Sequence, residues 1–336
     1  MLLSEWISLK EYEELLKNNE FETINIYQSP HWLKLIKNSF KLELKILKTI
    51  KNSESIAFTP FVEKRRGPFL LIGSPLRGTY TEFCGPILKK NVGKNDLREI
   101  IISQHKIIKK NNYIEWKFIE NTKFEDDLIE EFYDLGYEHF DTPSIKIDLT
   151  KGKEDIWKGF TGRARNMIRK AEKIQLKANK IYPSKSWIKS YYRILSENFS
   201  RQGLATPHPI SFFLNLRKLA KLEMVSFYNI SYKNELDAAA IFVNDKSRVM
   251  YLSGVATKEG MKSAANSLIQ WQIIQDSIIN NSKTYDLGGL GIPSIDKFKK
   301  SFGGEIISHK KWVRQSKFFK IIEPIAVWTL KKGILR

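Results

Sequence analysis

Apolar residues recur along this chain at two spacings, one near 3.6 residues and one of two, and the changes between them outline its elements. Trp32, Leu33, Leu35 and Ile36 share a helical face over 31–40, behind Ser29-Pro30, which supplies an N-cap and a first-turn proline. An earlier helix is announced by Ser8 with Glu11 three residues on, the spacing of a capping box. Leu97, Ile100, Ile101, His105, Ile107 and Ile108 mark a helix over 96–110. Runs at 42–50, 55–62 and 69–72 read as strands, with a turn over 64–68. A strand over 113–119, a short helix over 125–135 ended by Gly136, and a strand over 144–149 complete the first half.

The second half repeats this grammar. A very basic helix is predicted over 156–173, a strand over 176–182, and helices over 186–202 and 209–221, the first of them stopped by Gly203. Strands over 224–231, 236–244 and 248–255 follow at hairpin spacing, with turns over 232–235 and 244–247. A helix over 261–280, a strand over 284–287 running into Gly288-Gly289, a helix over 294–302 and a strand over 305–314 close the series. The helix between the fourth and fifth strands makes a crossover, so that pair lies parallel in an otherwise antiparallel sheet. This is the order of elements of the GNAT acyltransferase fold, and the first half shows a degenerate version of it. The expected architecture is α/β with a mixed sheet, as two tandem GNAT-like domains: 1–150, degenerate, and 151–336, carrying the chemistry. The tail over 318–335 reads either as an amphipathic membrane-surface helix or as a segment docked on its own domain; Glu323-Pro324 interrupts it and favours docking.

Charge changes this picture more than composition does. The 336 residues hold 56 Lys and Arg against 37 Asp and Glu, a net charge of +19. Such an excess favours anionic partners: RNA, nucleotide phosphates or an acidic membrane surface. The same excess of Lys, with abundant Asn and Ile, also arises from an AT-rich genome. The one cysteine, Cys84, has no intramolecular disulfide partner and reads as a buried thiol. His31, His105, His139, His208 and His309 are scattered without metal-ligand spacing. The first residues have no charged segment followed by an apolar run, and no stretch approaches the ~20 apolar residues that cross a bilayer. A cytoplasmic protein, with possible peripheral contact at the inner face of the membrane, is expected.

Three segments carry candidate chemistry. In 162–173, Arg165, Arg169 and Lys173 fall four apart and share a helix face, where Arg forks suit phosphate. Next, Tyr285-Asp286-Leu287-Gly288-Gly289 runs a strand into two glycines, which lets backbone approach a ligand closely. Finally, in 295–304, Phe298 and Phe302 stand four apart and anchor a short helix, so that their packing directs Lys299. A fixed ammonium beside a cleft stabilises an oxyanion or binds phosphate.

Taken in order, the basic helix, the Tyr-Asp-x-Gly-Gly strand and Phe-Lys-x-x-Phe-Gly-Gly resemble the Fem-type peptidyltransferases and their BioF2-like acyltransferase relatives. Gln28-Ser29-Pro30-His31-Trp32-Leu33 resembles the N-terminal segment of that family. The resemblance implies an N-acyltransferase that moves an aminoacyl or acyl group to an amine of a cell-envelope precursor, peptidoglycan or polysaccharide. It implies no bound cofactor and a co-substrate that is aminoacyl-tRNA, slightly favoured, or acyl-CoA. It places Phe298 and Lys299 at the reaction centre with Asp286, and Arg165, Arg169, Lys173, Tyr285, Gly288 and Gly289 at the substrate. The family's coiled-coil arm has no counterpart here, and 256–264 holds one glycine where a CoA-binding loop carries more. Two other readings stand beside this one: an acyl-CoA-dependent N-acetyltransferase acting on a sugar or lipid-linked surface-polysaccharide intermediate, and a non-catalytic RNA- or membrane-binding protein.

Overall fold

The computed structural model describes residues 2–118, 128–206, 208–232 and 235–331. The hairpin turn at 233–234, the first residues of the helix expected from 125, and the tail beyond 331 lie outside the described residues. The chain divides into two units, Met1–Asp141 with His309–Arg336, and Thr142–Ser308. The contacts divide at 141/142 and again at 308/309, where the sequence places one division at 150/151. The strands Glu138–Asp148 and Glu305–Gln315 each carry the chain from one unit to the other, and the C-terminal segment packs with the first. Aromatic packing accounts for that return: Trp312 stacks on Phe132 with ring centroids 4.7 Å apart.

In the first unit, a strand at Leu3–Ile7 pairs antiparallel with Glu43–Lys51, then come Glu54–Arg66 and Phe69–Ser74. Phe69–Ser74 runs parallel to Tyr113–Trp116, whose other edge takes Trp312 to Gln315 antiparallel. The first of these strands is absent from the sequence reading, because Leu3 and Trp6 are exposed and the burial alternation is broken. The turn expected over 64–68 shrinks to Gly67-Pro68, with Arg66 opposite Phe69 and Gly67 at φ 56°. The helix Lys94–Ile108 buries Leu97, Ile100, Ile101 and Ile108 against Phe61, Trp116 and Trp312. The C-terminal helix Lys317–Lys331 contains Pro324 instead of ending before it. Loss of a helix bond at an interior proline costs about 3 kcal/mol. Docking offsets it: Phe319 packs edge-on to Phe69, and Glu323 takes bonds from Arg77 and Gln315.

In the second unit, Asn179–Ile181, Val225–Tyr232, Glu235–Asp245 and Arg248–Ala256 form an antiparallel series. Arg248–Ala256 then pairs parallel with Thr284–Gly289, the glycine strand, as the crossover helix requires. Residues 144–148 line its far edge, antiparallel. Two predicted helices are each divided. The stretch 156–173 is a helix Gly152–Gly159 and a basic helix Gly162–Lys173, because Thr161 is extended and its Oγ1 accepts the Ala164 N–H at 3.2 Å. The stretch 261–280 is Lys258–Lys262 and a long helix Ala265–Ile279, parted by Ala264 at φ 63°.

Candidate functional site

The glycine strand and the lysine helix, Pro293–Lys300, form one small network. Asp286 is buried, and its Oδ1 accepts the Gly288 N–H at 2.8 Å. That bond stabilises a left-handed turn at Gly288, φ 76°, where an added Cβ would lie 3.2 Å from the Tyr251 carbonyl oxygen. The turn presents the exposed Gly289 carbonyl, to which the Lys299 Nζ donates at 2.6 Å. Lys299 itself is only 7% exposed. Lys146, also buried, stands opposite Asp286 in the strand register.

What aims the lysine is the aromatic packing beneath it. Phe302 is fully buried, edge-on to Phe160 at 5.3 Å and to Phe298 at 5.1 Å, and Phe160 in turn meets Trp271. Burying one such ring contributes about 2–3 kcal/mol. Gly303 and Gly304 then let the chain pass tightly: an added Cβ would meet the Gly159 carbonyl oxygen at 2.7 Å and the Lys146 carbonyl oxygen at 2.5 Å. Both glycines sit at positive φ. The second pair of glycines thus serves close packing of backbone on backbone.

Two cavities open on the other side of the lysine helix. One, of about 620 Å³, is walled by Thr161, Arg163, Asp296, Lys297 and Lys300. The second, of about 240 Å³, is walled by Arg163, Met167, Ala264, Asn266, Lys297 and Phe298. Arg163, Lys297 and Lys300 are exposed. Among the described residues they make no side-chain hydrogen bond or ion pair, which leaves three uncompensated cations on these walls. The smaller cavity abuts the first turn of the long helix, which no side chain caps. A helix N-terminus with flanking cations attracts phosphate. Among the described residues, no group of three His, Cys, Asp or Glu is arranged to hold a metal ion.

Several sequence-predicted site residues take different places. Arg165 donates from one guanidinium nitrogen to the Lys158 and Phe160 carbonyls, both at 2.9 Å, and so caps the end of Gly152–Gly159. Arg169 lies 5.6 Å from the Trp157 ring centroid. Lys173 is exposed, and none of these three lines either cavity. Tyr285 is a core residue: it is wholly buried, its hydroxyl donates to Gln270 Oε1, and burial holds its phenol pKa well above the ordinary value. Phe298 reaches the smaller cavity, whereas Lys299 is a wall residue of neither. The residues missed by sequence reasoning are Arg163, Lys297 and Lys300. Arg163 and Met167 stand four apart, on a different face from Arg165 and Arg169, and only the position of the neighbouring helix distinguishes the two faces.

The FemAB family model matches residues 219–310, the stretch that contains the glycine strand and the lysine helix. Over this stretch, about a quarter of the chain, the sequence is similar to the FemAB family. No curated protein matches the sequence. Among solved structures, a crystal structure of FemX is 15% identical with a TM-score of 0.69, covering 95% of this chain and 99% of that one. A tandem GNAT protein from the clavulanic acid biosynthesis pathway is 7% identical with a TM-score of 0.56, covering 94% and 98%. L-PGS from Bacillus licheniformis is 12% identical with a TM-score of 0.53, covering 88% and 95%. At these identities the likeness is one of fold. The mixed α/β architecture of GNAT-like units expected from the order of elements is the fold of this chain.

Proposed function

We propose that this protein transfers an aminoacyl group from aminoacyl-tRNA to an amine of a cell-envelope precursor, working from the cytoplasmic side. The observation that carries the proposal is the nearly buried Lys299 ammonium, held to the Gly289 carbonyl inside the FemAB-matched segment. In the reaction, the acceptor amine attacks the ester carbonyl carbon, the carbonyl oxygen takes the negative charge, and the terminal ribose hydroxyl leaves with a proton. A fixed cation beside that oxygen stabilises it, an effect typically worth about 3–4 kcal/mol. Lys299 fills this role, Phe298 packs the helix beside it, and Asp286 acts through the Gly288-Gly289 turn as a positioning residue. Arg163, Lys297 and Lys300 hold donor phosphates.

The experiment is single-turnover transfer from labelled aminoacyl-tRNA to amine-bearing envelope precursors, with acyl-CoA as the competing donor. Transfer from tRNA that Lys299→Met abolishes supports the proposal. Transfer from acyl-CoA alone replaces it with the second reading, an N-acetyltransferase of surface-polysaccharide intermediates. One feature favours that second reading: the smaller cavity sits at a helix N-terminus with Arg163 and Lys297 on its walls, a setting for a diphosphate.

A further inference from the structure

We infer that Lys146 is the counter-ion of Asp286 and, through it, a positioning residue for Lys299. The consequence for turnover rests on the acyl-transfer reading; the pairing itself does not. Lys146 is 7% exposed and Asp286 3%, and the two stand directly opposite in the antiparallel pairing of 144–148 with Thr284–Gly289. Residues so placed point to the same face of a sheet, with Cβ atoms about 4.5–5.5 Å apart. Their neighbours settle which face. Ile145 and Ile147 of one strand, with Tyr285 and Leu287 of the other, belong to the hydrophobic core shared with Ile168 and Ile269 of the covering helices. Alternation along each strand therefore turns Lys146 and Asp286 together to the opposite face.

Burial is what demands the pairing, since an ionised side chain out of water is held only by an opposite charge and hydrogen bonds. The strand register shifts directly after Asp286, between it and Gly289. At that shift Asp286 Oδ1 accepts the Gly288 N–H, and the Gly289 carbonyl takes the Lys299 ammonium. The Lys299 Nζ also lies 3.6 Å from where a Cβ on Gly288 would stand. The backbone of Lys146 is clamped in turn, because its carbonyl oxygen is 2.5 Å from the place of an added Cβ on Gly304. Lys146 thus fixes the carboxylate, the carboxylate fixes the turn, and the turn fixes Lys299. With Lys146 as its counter-ion, Asp286 leaves the Lys299 ammonium on the Gly289 carbonyl. Without Lys146, an uncompensated carboxylate and that ammonium share one turn, and the carboxylate draws it away.

The test is a double-mutant cycle on the full chain with Lys146→Met, Asp286→Asn and the two together. Asn keeps an oxygen for the Gly288 N–H, and Met keeps the length of the lysine. Each single variant is expected to lower the urea midpoint by about 1 M or more, and the double variant by less than the two singles summed. Acetylation of Lys299 by acetic anhydride, read by mass spectrometry, reports its surroundings without any substrate. Its rate should fall about threefold or more in Lys146→Met, where the carboxylate holds the ammonium, and recover in the double variant. In steady-state transfer, Lys146→Met should lower kcat about thirtyfold with donor KM within about twofold of wild type, and the double variant should be faster than Lys146→Met. A lysine with a merely structural role would give additive losses and no recovery. Additive losses of stability, or a Lys299 labelling rate that Lys146→Met does not move, overturns the proposal. If Lys146→Met does not fold, a folded double variant shows the same coupling, and a double variant that also fails to fold overturns it. Wild-type protein that transfers from neither donor overturns the acyl-transfer reading, while the stability cycle and the labelling still decide the pairing.

Discussion

The Fem-type resemblance rests on one N-terminal segment, 28–33, and on a group of three motifs in the second unit, and the two use their polar groups in opposite ways. In the first, Gln28 donates to the carbonyls of Cys84 and Gly85, accepts the Asn25 N–H, Ser29 caps the following helix, and Trp32 donates to Thr81. These groups hold their own fold together. In the second, Asp286 and Lys299 are likewise engaged with the Gly288-Gly289 turn, but Arg163, Lys297 and Lys300 face cavities without a partner among the described residues. A segment that consumes its polar groups internally and puts no cation on a cavity wall is a scaffold. One that leaves cations on a cavity wall has room for a ligand. Shared resemblance therefore does not imply shared role, and substitution in each segment should separate stability from activity.

The largest effect is expected at Lys299. Lys299→Met keeps the length of the side chain and removes its charge, so turnover should fall at least a hundredfold, equivalent to about 2.7 kcal/mol of transition-state stabilisation. The melting temperature should move by only a few degrees, since Phe298 and Phe302 anchor the helix. A variant with undiminished turnover would remove the lysine from the chemistry and make the two segments alike.

Next is the scaffold side. Gln28→Ala strands two buried carbonyls and one N–H, and should cost about 2 kcal/mol of stability. Urea denaturation measures that loss, and kcat of the folded fraction should stay within twofold of wild type. A large fall in kcat at unchanged stability would move the first segment into the site.

Much of the fold was legible because it rests on periodicity. The parallel pairing of Arg248–Ala256 with Thr284–Gly289 followed from the crossover helix, and the Phe298–Phe302 anchor from spacing alone. What was hidden depends on tertiary contacts. The break at Thr161 lacks the acidic partner of a capping box, since Ala164 stands at the third position. The left-handed Ala264 defies the preference of its residue type. Pro324 stays helical because Phe319 and Glu323, in the turns before it, dock the helix. At the site, the basic helix offered two cationic faces, and spacing selected the one that caps and stacks on its neighbour. No periodicity reports which face a second helix will cover.

A smaller effect should sharpen that last distinction. Replacing Arg163, Lys297 and Lys300 together with Glu should raise the donor KM about tenfold, roughly 1.4 kcal/mol, and flatten its salt dependence. Replacing Arg169 and Lys173 with Glu should leave donor KM nearly unchanged. Equal losses from both sets would mean that bulk charge, and not the cavity walls, binds the donor.

The smallest effect tests the scaffold by its one thiol. Cys84 is buried beside the Gln28 contacts, and burial pushes its pKa from the usual 9.0 up to about 12. The unfolded chain loses that proton near pH 9 while the folded chain keeps it, so the unfolded state binds fewer protons as pH rises. Folding stability from this group is then complete below pH 9 and falls through the window from 9 to 12, by at most about 1.4 kcal/mol per unit. Comparing wild type with Cys84→Ala by urea denaturation at pH 8 and pH 10 isolates this slope from the tyrosines and lysines that titrate in the same range. The wild type should lose about 1 kcal/mol more than the variant between those two values, and iodoacetamide should leave the folded wild type unmodified at pH 8, where thiolate is scarce. Rapid alkylation at pH 8 would mean an accessible, ionised thiol, and the first segment could no longer be described as a closed scaffold.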